Sequence, residues 1–178
     1  SSGRMACALA VRAFEAGADT ELWMGGCDTE LPDFIPVRRF SSVSDLLKMT
    51  GEIDADAVLV PAALADFAPA KADGKIPSDG SITLKLEPVP KVLPVLCGKC
   101  GFVLGFKAES GLPEKELIEK ARGRLRKYGL SAIVANDVSC AGKQDSEAVF
   151  ITAGSAERIS GSKDDAAGYI LERVAEML

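Results

Sequence analysis

The stretch Ala55-Asp56-Ala57-Val58-Leu59-Val60-Pro61-Ala62-Ala63-Leu64-Ala65-Asp66-Phe67 decides how this chain is read. It opens with a short apolar run bounded by polar residues, the pattern of a strand buried on both faces. It ends in a loop of small residues that closes on an acid. Strands of that kind belong to parallel sheets, and in an open parallel sheet ligands bind beyond the carboxyl ends of the strands. Ala62 and Ala63 would let a planar base approach the backbone, and Asp66 would accept hydrogen bonds from ribose hydroxyls. The alternative is a tight strand-to-loop turn with no ligand.

The sequence on either side supports the same architecture. Upstream, residues 5–17 (MACALAVRAFEAG) form an Ala-rich amphipathic run that follows Ser1-Ser2-Gly3-Arg4 and stops at a glycine, good punctuation for a helix. Residues 20–24 and 34–40 read as strands, and residues 41–50 as a serine-capped helix. Downstream, residues 68–80 are rich in Pro, Gly, Ala and Lys and read as a loop or flap. Residues 81–87 (SITLKLE) alternate apolar and polar, as a half-exposed strand does. A short helix at most follows within 88–99. A buried strand (101–108), a charged amphipathic helix (113–129) and another buried strand (131–136) come next. A terminal hairpin over 148–152 and 157–160 and a closing helix over 164–178 complete the chain.

Strand–helix alternation predicts a three-layer α/β/α fold with a largely parallel central sheet and a flap or hairpin, residues 1–178 forming a single domain. A doubly wound fold usually opens on a strand and a glycine-rich turn. This chain opens on the helix, so a first strand and loop are expected before residue 1.

Composition narrows the function. The chain has 178 residues, 47% hydrophobic and 26% charged, as in an ordinary globular domain. Its net charge of −5 and the absence of a basic stripe argue against nucleic acid, though a local basic pocket for phosphates is compatible with both. No apolar run is long enough to span a bilayer and no signal peptide is visible, so no membrane partner is expected. Five cysteines without a disulfide-scaffold spacing suggest a reduced, cytoplasmic protein. The sequence has no histidine, which removes the commonest general base and zinc ligand.

Five further constellations could carry chemistry. Ser2 and Gly3 precede a helix N-terminus, where free N–H groups receive anions; a plain serine cap is the alternative. Lys75, within GKIPS, is a cation on a flap, able to close on phosphates, or else a solvated loop lysine. Phe106 stands at a strand end, against a base or in the core. Asn136 ends another strand, where it could orient a ligand or serve a turn. Cys97-Gly98-Lys99-Cys100 resembles half a zinc site or a redox pair, but no second pair and no histidine exist, so incidental thiols near a helix end and no structural metal are expected. Neither a P-loop nor the Rossmann dinucleotide fingerprint is present.

The order of the motifs is more specific than any one of them. SSGRM (1–5), ADAVLVPAALADF (55–67), GKIPS (74–78), ITLKLEPVPKVL (82–93), VLGFKAES (103–110), ARGRLRKYG (121–129) and AIVANDVS (132–139) together resemble the phosphopantothenoylcysteine synthetase family along nearly the whole chain. That family has an N-x-S-S-G-K-M element at its first helix, then A-A-V-x-D-[YF], a K-I-K flap, an N-P-D-I-L helix start, G-F-x-A-E-[TS] and A-N-D-V.

The resemblance implies a Rossmann-like (ribokinase-like) ligase domain of coenzyme A biosynthesis. It implies 4′-phosphopantothenate, L-cysteine and a nucleoside triphosphate as substrates, CTP more than ATP, with Mg2+. It further implies a homodimer and a fused or associated phosphopantothenoylcysteine decarboxylase. Ala62, Ala63 and Asp66 would lie at the nucleoside, Phe106 would flank the base, and Pro90, Lys91, Val92 and Leu93 would touch the nucleotide. Lys75 would meet the triphosphate as the catalytic flap lysine. Arg124 matches one basic position of the following helix; the second falls on Tyr128, with Lys127 beside it. Ser2 and Gly3 belong to the first anion loop, and Asn136 to substrate binding.

Departures from the pattern touch specificity. Lys91 stands where an acid is usual, the flap lacks its extra lysines, and Gln144-Asp145-Ser146-Glu147 replaces S-D-x-N. The competing readings are a Rossmann-type nucleotide- or NAD(P)-binding module or oxidoreductase without ligase activity, and a domain that only dimerises beside a partner enzyme.

Overall fold

The structure, a computed structural model, describes residues 2–70, 74, 80–137 and 146–178. In chain order the elements are α1 (Arg4–Glu15), β1 (Leu22–Met24), β2 (Val37–Arg39), α2 (Val43–Met49), a 3-10 turn (Thr50–Glu52), β3 (Ala57–Val60), β4 (Phe67–Pro69), β5 (Leu86–Pro88), α3 (Val92–Cys97), β6 (Phe102–Glu109), α4 (Glu114–Tyr128), β7 (Ala132–Asp137), β8 (Ser146–Ile151), β9 (Ala156–Gly161) and α5 (Lys163–Ala175).

The helix ends follow from local chemistry. The Ser42 hydroxyl accepts from the Asp45 backbone N–H at 3.1 Å and starts α2. Ser162 and Asp165 form a reciprocal capping box that starts α5. Helix α4 ends at Gly129, whose left-handed backbone turns the chain into β7.

The central sheet has the order β3-β6-β7-β8-β9. β3, β6 and β7 are parallel, with Leu59 opposite Leu104 and Phe106 opposite Val134. β8 and β9 are antiparallel additions. Only residues 152–155 separate β8 from β9, too few for a crossover, so the chain must return antiparallel. A separate parallel pair joins β1 to β2, and β4 pairs antiparallel with β5.

Two apolar layers flank the sheet. One face packs on α2, α3 and α4 through Leu46, Val92, Leu93, Leu96, Leu117, Ala121 and Leu125 against Val103, Ile133 and Ile151. The other packs on α1 and α5 through Leu9, Ala167 and Ile170 against Leu104, Val134 and Phe150. This is the expected three-layer α/β/α arrangement. Alternation of side chains along β6 and β7 sends neighbouring residues to opposite layers. A third cluster, built on Ala10, Leu22, Met24 and Ile35, ties α1 to β1.

The 81–87 segment differs from its expected form. Among the described residues, pairing covers only Leu86–Pro88, while Ile82, Leu84 and Leu86 remain more than half exposed. The alternation is present in the sequence, but β4 supplies only three residues to pair with it.

Candidate functional site

The carboxyl ends of β3, β6 and β7 carry Ala62, Ala63, Asp66, Phe106 and Asn136, while the start of α3 and the last turns of α4 bring Pro90 to Leu93, Arg124, Lys127 and Tyr128. On the α3/α4 side, the short β4–β5 ladder places Phe67 opposite Pro88. The Val89 N–H donates to the Asp66 carbonyl at 3.1 Å just beyond it. These backbone bonds bring Asp66 beside Lys91, and the Lys91 ammonium donates to the Asp66 carboxylate in an ion pair. That hydrogen bond, with the lysine charge behind it, holds the Asp66 carboxyl below its usual pKa; Arg124 and Lys107 add to the effect.

Arg124 and Tyr128 project from α4 into the same cleft, which Leu64, Ala65, Pro90, Val92 and Leu93 also line. The Arg124 guanidinium lies 5.4 Å from the Tyr128 ring centroid, and the Lys127 ammonium lies 5.6 Å from it. The Arg124 Nε is buried and has no hydrogen-bond partner among the described residues. Such a donor is costly to leave unsatisfied. The space open to a water-sized sphere is only ≈ 20 Å³, room for about one water molecule.

Lys107 and Glu109 extend the charge along the end of β6, paired at 2.8 Å. The Lys107 hydrogen bond is the main cause of the lowered Glu109 pKa, with Lys120 and Arg124 contributing. Four cations, Lys91, Lys107, Lys120 and Arg124, thus act on two carboxylates. The excess positive charge suits a polyanion. Sequence reading did not single out Lys107, Glu109 or Lys120 as site residues. A signal existed: Lys107 and Glu109 are two apart on a strand, and Lys120 and Arg124 four apart on a helix, so each pair shares a face.

Phe106 lies on the other side. It is half-buried and packs with the α1/α5 layer. Asn136 sits between Ala108 and Ala148 in register, at the end of β7. Gly3 has φ 79°, and a Cβ built on it would meet Cys27 Cβ at 2.9 Å and Met24 Sδ at 3.3 Å. Only glycine fits there without displacing β1's carboxyl end. Ser2 accepts a long bond of 3.5 Å from the Arg4 N–H.

Ala62 and Ala63 are exposed on the loop after β3. Val92 and Leu93 are 2% and 5% exposed, their side chains committed to the core, so any ligand contact from them must come through the backbone. Lys75 lies outside the described residues, as do Gln144 and Asp145. The Cys100 thiol is buried within 3.2–3.4 Å of the carbonyl oxygens of Ala55, Asp56 and Phe102, and Cys97 is half-buried. No described helix is long and apolar enough to cross a membrane.

The layering and the position of the cleft put the chain in the Rossmann-like class of open α/β proteins. Within that class it belongs to the DNA/pantothenate metabolism flavoprotein C-terminal domain family, whose model spans residues 1–178. The coenzyme A biosynthesis bifunctional protein CoaBC of Methanocaldococcus jannaschii is 36% identical over 184 residues, covering 100% of this chain and 45% of that protein. The chain therefore spans about half the length of that relative.

Among solved structures, the C-terminal domain of a coenzyme A biosynthesis bifunctional protein CoaBC superposes with a TM-score of 0.75 at 25% identity, covering 99% of this chain and 83% of that one. The DNA/pantothenate metabolism flavoprotein from Streptococcus pneumoniae superposes with a TM-score of 0.88 at 19% identity, covering 100% of this chain and 90% of that one, a likeness of fold.

Proposed function

We propose that this chain is a phosphopantothenate–cysteine ligase domain, joining L-cysteine to 4′-phosphopantothenate at the expense of a nucleoside triphosphate in coenzyme A biosynthesis. The observation that carries the reading is the cation-rich cleft around Asp66, Lys91 and Arg124 at the carboxyl edge of the sheet, in a chain of this family. The coenzyme A biosynthesis relative at 36% identity supports it.

A free carboxylate is a poor acyl donor. In the proposed sequence, the phosphopantothenate carboxylate oxygen attacks the α-phosphorus and pyrophosphate leaves. The resulting acyl-nucleotidyl anhydride presents a good leaving group. The cysteine amine then attacks the acyl carbon, the nucleoside monophosphate departs, and the amine loses a proton as the amide forms. Neutralising charge on the triphosphate is the principal task of the protein in the first step.

Lys75, Lys91 and Arg124 are proposed for that task, with Lys127 and Tyr128 at the rim. Ala62 and Ala63 would read the base through their backbone, Asp66 would meet the ribose, and Phe106 would flank the base from the other face. Pro90, Val92 and Leu93 would shape the nucleotide pocket, Ser2 and Gly3 would receive an anionic group, and Asn136 would orient the acyl substrate.

A magnesium ion would enter with the triphosphate. Such ions take oxygen ligands and commonly bind through substrate phosphates, and Asp66 and Glu109 are each engaged by a lysine. The residues therefore fit an ion carried mainly by phosphate oxygens, where it would offset charge.

CTP is proposed as the nucleotide and the cytoplasm as the compartment. A second activity, phosphopantothenoylcysteine decarboxylase, is proposed on the same or an associated polypeptide. The exposed Phe67, Ile82, Leu84 and Leu86 on and beside the β4–β5 ribbon support a homodimer through that segment.

The test is pyrophosphate release by the intact natural protein with CTP or ATP, magnesium, phosphopantothenate and cysteine, with the product identified by mass. Release that depends on phosphopantothenate is expected, faster with CTP. No release with either nucleotide, beside binding of NADPH, would replace the ligase reading by the dinucleotide one.

A further inference from the structure

We propose that Lys91 makes the cleft selective for a phosphorylated nucleoside over the unphosphorylated one, by exchanging its Asp66 partner for phosphate. The inference rests on the ligase reading and deepens it, since it assigns a specificity role within the nucleotide site.

The ion pair closes one wall of the cleft to the other. Asp66 lies on the loop that follows β3, and Lys91 immediately precedes α3. Both residues line the same cleft, so the pair ties its two walls together. Their side chains are 61% and 41% exposed, so the pair sits at the mouth, within reach of an incoming ligand.

A nucleoside whose ribose takes the Asp66 oxygen that Lys91 holds displaces the ammonium and leaves it without its anion. A nucleoside triphosphate displaces it too but supplies a new anion for the same ammonium. Arg124, with its unsatisfied Nε, lines the cleft as a second cation. Lysine suits the exchange because a compact ammonium on a flexible stem can change partners without a fixed approach geometry.

The two ends of the pair therefore have different roles. Removing Asp66 frees Lys91 and keeps the cation that favours phosphate. Removing Lys91 frees Asp66 and deletes that cation. An ion pair that merely braced the loop would give the same result from either end.

The experiment is calorimetric titration of the intact protein and its Lys91→Met, Lys91→Gln and Asp66→Asn variants with cytidine, CTP, adenosine and ATP in magnesium buffer. The quantity read is the ratio of nucleoside Kd to triphosphate Kd, in which loss of a ribose contact cancels. Thermal melts confirm that each variant is folded; Lys91→Gln keeps a polar chain of similar reach should Lys91→Met not fold.

The ratio is expected to fall by about tenfold or more in the Lys91 variants, the worth of a charge-assisted contact. In Asp66→Asn it should hold or rise. Tightening of the nucleoside itself by up to about fivefold in Lys91→Met would match the release of an exposed ion pair. An unchanged ratio in the Lys91 variants, with triphosphate still bound by the parent protein, would overturn the role of Lys91 and leave the ligase reading intact. Equal falls in the Lys91 and Asp66 variants would reduce the pair to a brace. A parent protein that binds no triphosphate would overturn the ligase reading, and this inference with it.

Discussion

Gly105 lies so close beneath Leu130 that a Cβ built on it would sit 2.9 Å from Leu130 Cδ1. Gly105 occupies the middle of the parallel sheet, opposite Val60 and Ile133. Leu130, 5% exposed, follows the turn that ends α4. The missing side chain lets α4, which carries Arg124 and Tyr128, settle against the sheet. Gly105→Ala forces Leu130 to move within a packed layer. It is expected to cost about 1–3 kcal/mol, the usual range for overpacking. A urea titration that leaves the midpoint unchanged would show that Leu130 yields freely.

Lys75 is proposed as the flap lysine that meets the triphosphate. Lys75→Ala in the intact natural protein should fold normally and lose about two to three decades in pyrophosphate release, matching ~2–4 kcal/mol of transition-state stabilisation from one phosphate contact. Lys75→Arg should recover only part, since a planar fork does not replace a point charge. Turnover at the parental rate in a folded Lys75→Ala protein would remove Lys75 from the site.

The exposed apolar side chains of the ribbon predict self-association. Ile82 and Leu84 are 59% and 56% exposed, and such a row is normally covered. The parent protein is expected to scatter light as a dimer at micromolar concentration, and Leu84→Glu as a monomer with an unchanged thermal melt. A monomeric parent protein would refute the proposed contact.

Acid should weaken the α5 layer. Glu157 accepts hydrogen bonds from the Tyr169 hydroxyl at 2.6 Å and from Arg173 at 2.8 Å, and its pKa is lowered, chiefly by the tyrosine bond. Asp165 is lowered by its bond from the Ser162 hydroxyl in the capping box. A carboxylate whose folded pKa lies below its unfolded value stabilises fully above the unfolded value, about 4, and less as pH falls through the folded one. The melting temperature should therefore be level from neutral pH down to about 5 and fall below about 4. Glu157→Gln should flatten part of that fall. A melting profile indifferent to Glu157→Gln throughout the acid range would assign the loss to other carboxylates.

The sequence by itself determined the principal helices and sheet strands and the layering they imply, though not the β4–β5 ribbon. Apolar runs at 102–105 and 132–135 mark parallel strands because they bury both faces, the half-buried run at 57–60 packs against both layers, and the amphipathic run over α4 marks a helix because only one face is buried. These are local patterns with a fixed period, legible without any knowledge of partners. The ordered motifs, likewise, mark the family without reference to the fold.

Only the tertiary structure decided how the candidate site is divided. The pairing of Asp66 with Lys91 spans 25 positions and depends on the three-residue β4–β5 ladder, and the assembly of Lys107, Lys120 and Arg124 around Glu109 depends on α4 folding back over β6. The separation of Phe106 from that group depends on which layer each side of β6 faces. A sequence periodicity reports that a face is buried, but not against what. Charge pairing across a cleft is set by register and crossover geometry, which no local pattern encodes.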